Sequence, residues 1–359
     1  MWRLAFRKFG YIITILWGVA SLVFVLFFII PADPARMMTD QREDEQQLRA
    51  IRQQYGFDLP VWKQYLLYLN DLSVVSAYSD VATIPLLNAE KRNIPHKKIL
   101  RLKAVYLCIK WPYLRESFQY QGVKVSTLLG WRFQNTLILA FTSFAFSMLT
   151  GVLMGLVAGA FHRTWIDSSI TLISVSGMAL PSFVSAILAS WIFAFVLHDL
   201  TGLNITGNLW EWDDLGESRQ LVLKNLLLPA LTLGVRPLSV ITQMMRSSYL
   251  EQSSMPYVLT ALSKGLSSRK IIVRHILPNA LNPVVSVASS WMASMLAGSV
   301  FVEYIFGWNG IGKLVVESAT TLDLPVLMGC VLTFSLVFVV VNLLTDMIYK
   351  ALDPTVTYK

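Results

Sequence analysis

Five stretches of this sequence run without a charged residue for longer than a bilayer core requires: Phe9 to Ala32, Phe133 to Phe161, Ser168 to His198, Ile276 to Val302 and Leu324 to Thr345. A sixth, Asn225 to Met245, is interrupted only by Arg236. Crossing the hydrocarbon takes about 20 residues of helix, and a backbone without water around it must bond within its own segment. The expectation is an all-α, polytopic membrane protein with six transmembrane helices. Composition agrees: 55% of the residues are hydrophobic and 14% charged, with mean hydropathy +0.54, against about 25% charged in soluble domains. Buried helices of a soluble domain would instead give windows of about 10 to 14 residues bounded by amphipathic faces.

Charge sets the expected orientation. Arg3, Arg7 and Lys8 precede the first window, whose 24 uncharged residues exceed the roughly 7 to 15 of a cleavable signal core, so it reads as a retained helix. Basic residues ahead of it place the N-terminus in the cytoplasm, and an even number of spans returns Lys350 and Lys359 to that side. The loops at 162–167 and 246–275 are then cytoplasmic, and the second carries Arg246, Lys264, Arg269, Lys270 and Arg274. Residues 33–132 would be extracytoplasmic although they hold 15 Lys and Arg, because a loop of this length escapes the positive-inside rule. The net charge of +8 therefore follows from topology and this loop, and points to a lipid bilayer rather than a nucleic acid. Cys108, in the long loop, and Cys330, in the last window, lie at depths that argue against a mutual disulfide and carry no metal motif.

The chain divides into a tail and first helix (1–32), the long loop (33–132), a five-helix core (133–350) and a cytoplasmic tail (351–359). Asp33 with Pro34, and Asp40 with Glu43, look like helix starts, with Gly56 as a helix end after Leu48, Ile51 and Tyr55. From Ser73 to Pro112 no period is visible. Lys91, Arg92, Lys97, Lys98, Arg101, Lys103 and Lys110 make a basic run there, read as an insert with a solvated basic face; a contact with lipid headgroups or a partner is the alternative. Gly151, Gly155 and Gly159 form a small-residue stripe that admits a close neighbour. Pro181, Pro229 and Pro237 are expected to interrupt the third and fourth helices.

Two motifs bear on chemistry. Gly307, Gly312 and Lys313 in "FGWNGIGKL" have the spacing of a nucleotide-binding P-loop, but Leu314 stands where a Ser or Thr would hold Mg²⁺, and no strand precedes it. The expectation is a Gly-rich turn in a short outer loop, with Trp308 at the membrane interface. The second motif lies in the 246–275 loop. Pro256 opens a helix of about two turns from Tyr257 to Lys264, Gly265 ends it in the left-handed conformation, and Ser267 caps a second helix that stops before Pro278. A plain basic connector would not need this elbow, which is expected to display Tyr257, Val258, Ala261, Leu262 and Leu266 to a partner. Arg236 lies deep in the fourth window, where a cation has to face protein, water or a counter-charge. It either satisfies carbonyls freed at Pro237 or lines a translocation path.

The segment "YVLTALSKGLSSRKIIVRHILPNALNPVV", Tyr257 to Val285, closely resembles the EAA-type loop of ABC-importer permeases, with Ala261, Gly265 and Leu277-Pro278 at that pattern's spacing. His275 departs from the general motif, which has an aliphatic residue there. "PADPA" from Pro31, "YGFDLPVWKQYLLYL" from Tyr55, "MRSSYLE" from Met245, "VEYIFGWNGIGKL" from Val302, "DLPV" from Asp323 and "ALDPTV" from Ala351 resemble the dipeptide/oligopeptide/nickel permease branch. The resemblance covers nearly the whole chain outside roughly 73–112. It implies a type I ABC importer permease of the bacterial inner membrane, paired with a homologous second permease, two ATPase subunits and an extracytoplasmic solute-binding protein. ATP and Mg would sit on the ATPases, with no cofactor on this chain, which would not itself be an enzyme. Tyr257, Ala261, Lys264, Gly265 and Leu266 would form the coupling element, and Arg236 is the translocation-path candidate. The cargo would be a peptide or related small solute, with nickel complexes or another non-peptide solute as the alternative. A secondary transporter or channel is a different class, and the former would be expected to show repeats and midplane carboxylates that this sequence lacks.

Overall fold

The computed structural model describes residues 2–26, 35, 45–79, 85–90, 92–102, 104–120, 122–213 and 215–352. Among the described residues four helices are long and apolar enough to cross a membrane, and a bent pair makes a fifth candidate span. They correspond to the second to sixth windows. The first window appears as the apolar stretch Gly10–Phe24 of helix α1 (Trp2–Phe24), and its expected continuation to Ala32 lies outside the described residues. So do the starts proposed at Asp33 and at Asp40 with Glu43. The chain forms two compact units, residues 1–131 with 314–336 and residues 132–313 with 337–359.

The first unit gathers the polar segments. After α1 come α2 (Glu45–Tyr55), ended at Gly56 with φ +71°, and α3 (Val61–Leu72). α3 sets Tyr65, Tyr68 and Leu72 against Ala20, Val23, Phe24, Met328 and Leu332. The 73–112 segment is not a patternless insert. It folds into an antiparallel sheet of order β1-β3-β2, from β1 (Val75–Ser79), β2 (His96–Leu102) and β3 (Val105–Lys110). Nor is its basic run uniformly solvated. Arg92 of that run and Arg115 just beyond it both pair with Asp71 of α3, at 2.8 and 3.0 Å, and Asp71 is only 1% exposed. Lys110 is buried as well, donating to the carbonyls of Asp71 and Ser73, and burial pushes its ammonium down to about 8. A carboxylate taken out of water needs such partners, so Asp71 fixes the sheet to the helix. In the same unit Asp323 accepts from the Ser117 hydroxyl and from the amides of Phe118 and Gln119, which accounts for the acid in "DLPV".

The second unit carries most of the apolar helices. α4 (Val125–Ala160) runs into it and is followed by α5 (Trp165–Ala179) and α6 (Ser182–Ala189), which continues as a π-helical turn to Val196. The third window is therefore not one straight helix: the pair bends by 107° at Leu180-Pro181, where proline removes a donor and clashes with the preceding turn. A short α7 (His198–Thr201) and a hairpin of β4 (Trp210–Trp212) and β5 (Arg219–Leu221) lead to α8 (Lys224–Ser253). Contrary to expectation, Pro229 and Pro237 do not interrupt α8. Ser147 of α4 donates to the carbonyl of Gly234, one turn before Pro237, at 2.7 Å, which ties α8 to its neighbour there.

α8 is the pillar of this unit. Gly151, Gly155 and Gly159 of α4 lie against Ile241, Met245 and Tyr249 of α8, so the stripe does admit a close neighbour. At the end of this contact Arg246 donates to both Asp167 oxygens, from Nε at 2.6 Å and Nη2 at 2.8 Å. A Cβ added at Gly155 would lie 2.6 Å from both the Met245 Cβ and the Thr242 carbonyl oxygen. Gly155→Leu is therefore expected to force the helices apart and destabilise the unit by about 1–3 kcal/mol, read as a lower melting temperature in detergent. Gly130→Ala, with nothing within 4 Å, serves as the uncrowded control, expected to leave the melting temperature unchanged or slightly raised.

Candidate functional site

The elbow is built where α8 ends. Met255 is extended (φ −75°, ψ 147°) and Pro256 takes the first position of α9 (Pro256–Ser263), where its missing N–H costs nothing. Lys264 closes the helix, and Gly265 follows at φ +73°. The amide of Gly265 bonds to the Leu262 carbonyl at 2.9 Å and that of Leu266 to the Ala261 carbonyl at 3.3 Å, a glycine-terminated helix end. No atom would lie within 4 Å of a Cβ at Gly265, so the requirement there is conformational and not spatial. Ser267 is extended and starts α10 (Ser268–Ile271), though its side chain makes no capping bond.

The second arm does not stop before Pro278. A π-helical turn, Ile272–Ile276, joins α10 to α11 (Leu277–Ile305), and the amide of Leu277 reaches back to the Ile272 carbonyl. This wider turn accommodates a proline that an α-turn would clash with. The elbow is thus continuous with the fifth span.

The face of α9 also differs from expectation. Val258 and Ala261 are not displayed: Ala261 is 5% exposed, and both pack with Ile241, Met245, Ile271, Ile276 and Ala280. Tyr257 and Leu266 are half-buried against the same cluster. Leu259 and Leu262 face outward, 61% and 52% exposed, beside exposed Lys264 and Gly265. Leu259 was missed because both sides of this short helix are apolar. Tyr257 has a second role: its hydroxyl donates to Gln252 Oε1 at 2.8 Å and accepts from Asn279 Nδ2 at 3.3 Å. One side chain thereby joins the end of α8 to the start of α11.

The P-loop look-alike holds no phosphate cradle. The amides of Gly312 and Lys313, at the start of α12 (Ile311–Thr320), are taken by the Glu303 carboxylate at 2.7 and 3.3 Å. The Lys313 ammonium donates to the Gly307 carbonyl and to Asn309 Oδ1. Trp308 is fully buried rather than interfacial, and its indole N–H bonds to the Asn135 carbonyl at 3.0 Å.

Residues 151–358, which contain the whole elbow, match the family described as binding-protein-dependent transport system inner membrane component, and residues 1–89 match its N-terminal counterpart. The chain belongs to the binding-protein-dependent transport permeases. Its relatives include the glutathione transport system permease protein GsiC of Escherichia coli K12, 29% identical over 98% of both chains, and that of Salmonella paratyphi A, 30% identical over 98% of both. Solved structures titled as an amino acid ABC transporter with histidines and as inward-facing MetNI methionine ABC transporter align with TM-scores of 0.48. Their identities are 14% and 18%, with 63% and 64% of this chain and 94% and 97% of theirs covered. The permease is helical and multi-pass, as its apolar windows implied.

Arg236, the remaining site residue from the sequence, lies within α8. It does not satisfy carbonyls at Pro237: its buried Nε has no hydrogen-bond partner among the described residues. It lies apart from the elbow, lining a cleft with Ser182, Leu233, Pro237, Trp291, Ser294 and Met295.

The Tyr257 bridge can be tested directly. Tyr257→Phe removes both hydroxyl bonds, worth about 1 kcal/mol each, so amide hydrogens of Val258 to Leu262 should exchange roughly tenfold faster while those of α8 stay unchanged.

Proposed function

We propose that this chain is the membrane-spanning subunit of an ATP-driven importer and that the α9 elbow receives the power stroke. The observation that carries this is the two-sidedness of α9. One side, Val258 and Ala261, is packed onto α8 and α11, and the other, Leu259, Leu262 and Lys264, is free. An exposed apolar pair on a helix held at both ends suits docking in a groove. A push on that face reaches two spans without bending the helix, because Tyr257 and the π-turn tie it to both.

In this reading the elbow and both termini are cytoplasmic, in keeping with the basic residues of the 246–275 loop. Two separate ATPase subunits bind ATP and Mg, a homologous second permease completes the path, and an extracytoplasmic solute-binding protein delivers cargo. The sheet unit lies on the binding-protein side. The occupied amides of Gly312 and Lys313 fit a chain that leaves nucleotide to its partners. A small peptide is the proposed cargo, supported by relatives named for glutathione transport; nickel complexes are the alternative for this branch.

The assembled transporter in proteoliposomes tests the coupling role. Non-Gly residues pay about 1–2 kcal/mol in the left-handed region, with Asn tolerated best. Gly265→Asn should thus retain most binding-protein-stimulated ATP hydrolysis, whereas Gly265→Val should lose most of it with membrane insertion unchanged. Full stimulated activity in Gly265→Val would remove the elbow from the mechanism.

A further inference from the structure

Arg236 poses a problem that the coupling elbow does not address. It lies 12 residues from Lys224 and 17 from Ser253 on α8, about 18 and 26 Å from the helix ends at 1.5 Å per residue. A guanidinium does not shed its proton, and in a membrane interior it needs an anion, carbonyls or water. Among the described residues Arg236 makes no ion pair and no hydrogen bond, and its Nε is buried without a partner.

The cleft beside it is polar in a specific way. Ser182 and Ser294 line it with Arg236, and neither hydroxyl makes a hydrogen bond among the described residues. Ser286 and Ser289, on the same helix as Ser294, instead donate to carbonyls one turn back. Ser182 is the first residue of α6, directly after the break at Pro181, and no side chain caps that helix start. Its free amides add positive potential to that of the arginine. Trp291 and Met295 supply the apolar wall. The opening, about 40 Å³, suits one small anionic group and not a whole solute.

We propose that Arg236, with the hydroxyls of Ser182 and Ser294, is a transient binding site for a carboxylate of the transported solute. A fork of N–H donors matches a carboxylate in two parallel bonds, and two hydroxyls can complete its coordination. This makes Arg236 a specificity residue for acidic or free-acid peptides, and it rests on the peptide-importer reading above.

The experiment uses the complete transporter in proteoliposomes, with glutathione supplied as the free acid and as the diamide that carries no carboxylate, and trialanine as the free acid and the C-terminal amide, each at concentrations saturating the solute-binding protein. Charged hydrogen bonds of this kind carry enough energy that Arg236→Gln should slow free-acid uptake about tenfold or more while amide uptake changes less than about twofold. Arg236→Lys, which keeps the charge but loses the fork, should fall between. Equal slowing of acids and amides, or no slowing, overturns the site. Failure of both variants to co-purify with the second permease also overturns it, because the arginine then serves as a counter-charge in assembly. If the unaltered transporter carries none of the four compounds, the peptide reading itself fails, and this inference with it.

Discussion

The constraint on which everything else in this chain depends is the absence of water in the bilayer core, which leaves each backbone donor and acceptor to find a partner in protein. Long helices answer it over most of the apolar windows, and the places where they break show how the remainder is met. At Pro237 the helix continues, and the Ser147 hydroxyl of the neighbouring helix bonds to the Gly234 carbonyl. The Ser239 hydroxyl likewise reaches the Ser174 carbonyl across to α5. Both bonds require helices close enough for a short side chain to span the gap, and the glycines of α4 provide that closeness on one side of α8. Packing and hydrogen bonding are here one requirement. At Leu180-Pro181 the helix turns sharply.

The parts of the structure set by hydropathy and by backbone conformation were legible in the sequence. Charge-free length located the apolar helices, and Pro256 with Gly265 located the elbow, because a proline at a helix start and a glycine at a helix end act locally. What depends on contacts distant in sequence was not legible. Asp71 draws Arg92 inward from 21 residues away with its carboxylate and Lys110 from 39 with its carbonyl, so a basic run that reads as a solvated face contains groups folded inward. The strands of that segment are short, and β2 slips its register between Lys98 and Leu100, which erases the alternation a strand would show. Trp308 reads as an interfacial tryptophan until the chain brings the Asn135 carbonyl to its indole.

The elbow illustrates the same limit at the site itself. Its existence could be read from Pro256, Gly265 and Ser267, but its orientation could not, since Val258, Leu259, Ala261 and Leu262 are all apolar and cover both faces of a two-turn helix. Packing against Ile241, Met245 and Ala280 decides that Val258 and Ala261 turn inward. Ala261 then acts as a seat for the helix, with a small side chain that lets α9 lie close to α8, and the proposed partner-facing role falls to Leu259 and Leu262, which are exposed. Glu303 makes a comparable point about motifs. A glycine-lysine spacing that suggests phosphate is filled from within by a carboxylate on the preceding helix, so the spacing here records a turn rather than a ligand.

The central claim is that the outward face of α9 is the surface through which the ATPases drive the membrane helices. The most direct measurement places a photo-activated cross-linking residue at Leu262 in the assembled transporter and identifies the captured subunit by mass spectrometry. The account predicts that Leu262 captures an ATPase subunit, and that the same residue placed at buried Ala261 gives no inter-subunit product. Capture of the solute-binding protein or the second permease from Leu262, with no ATPase product, would contradict it.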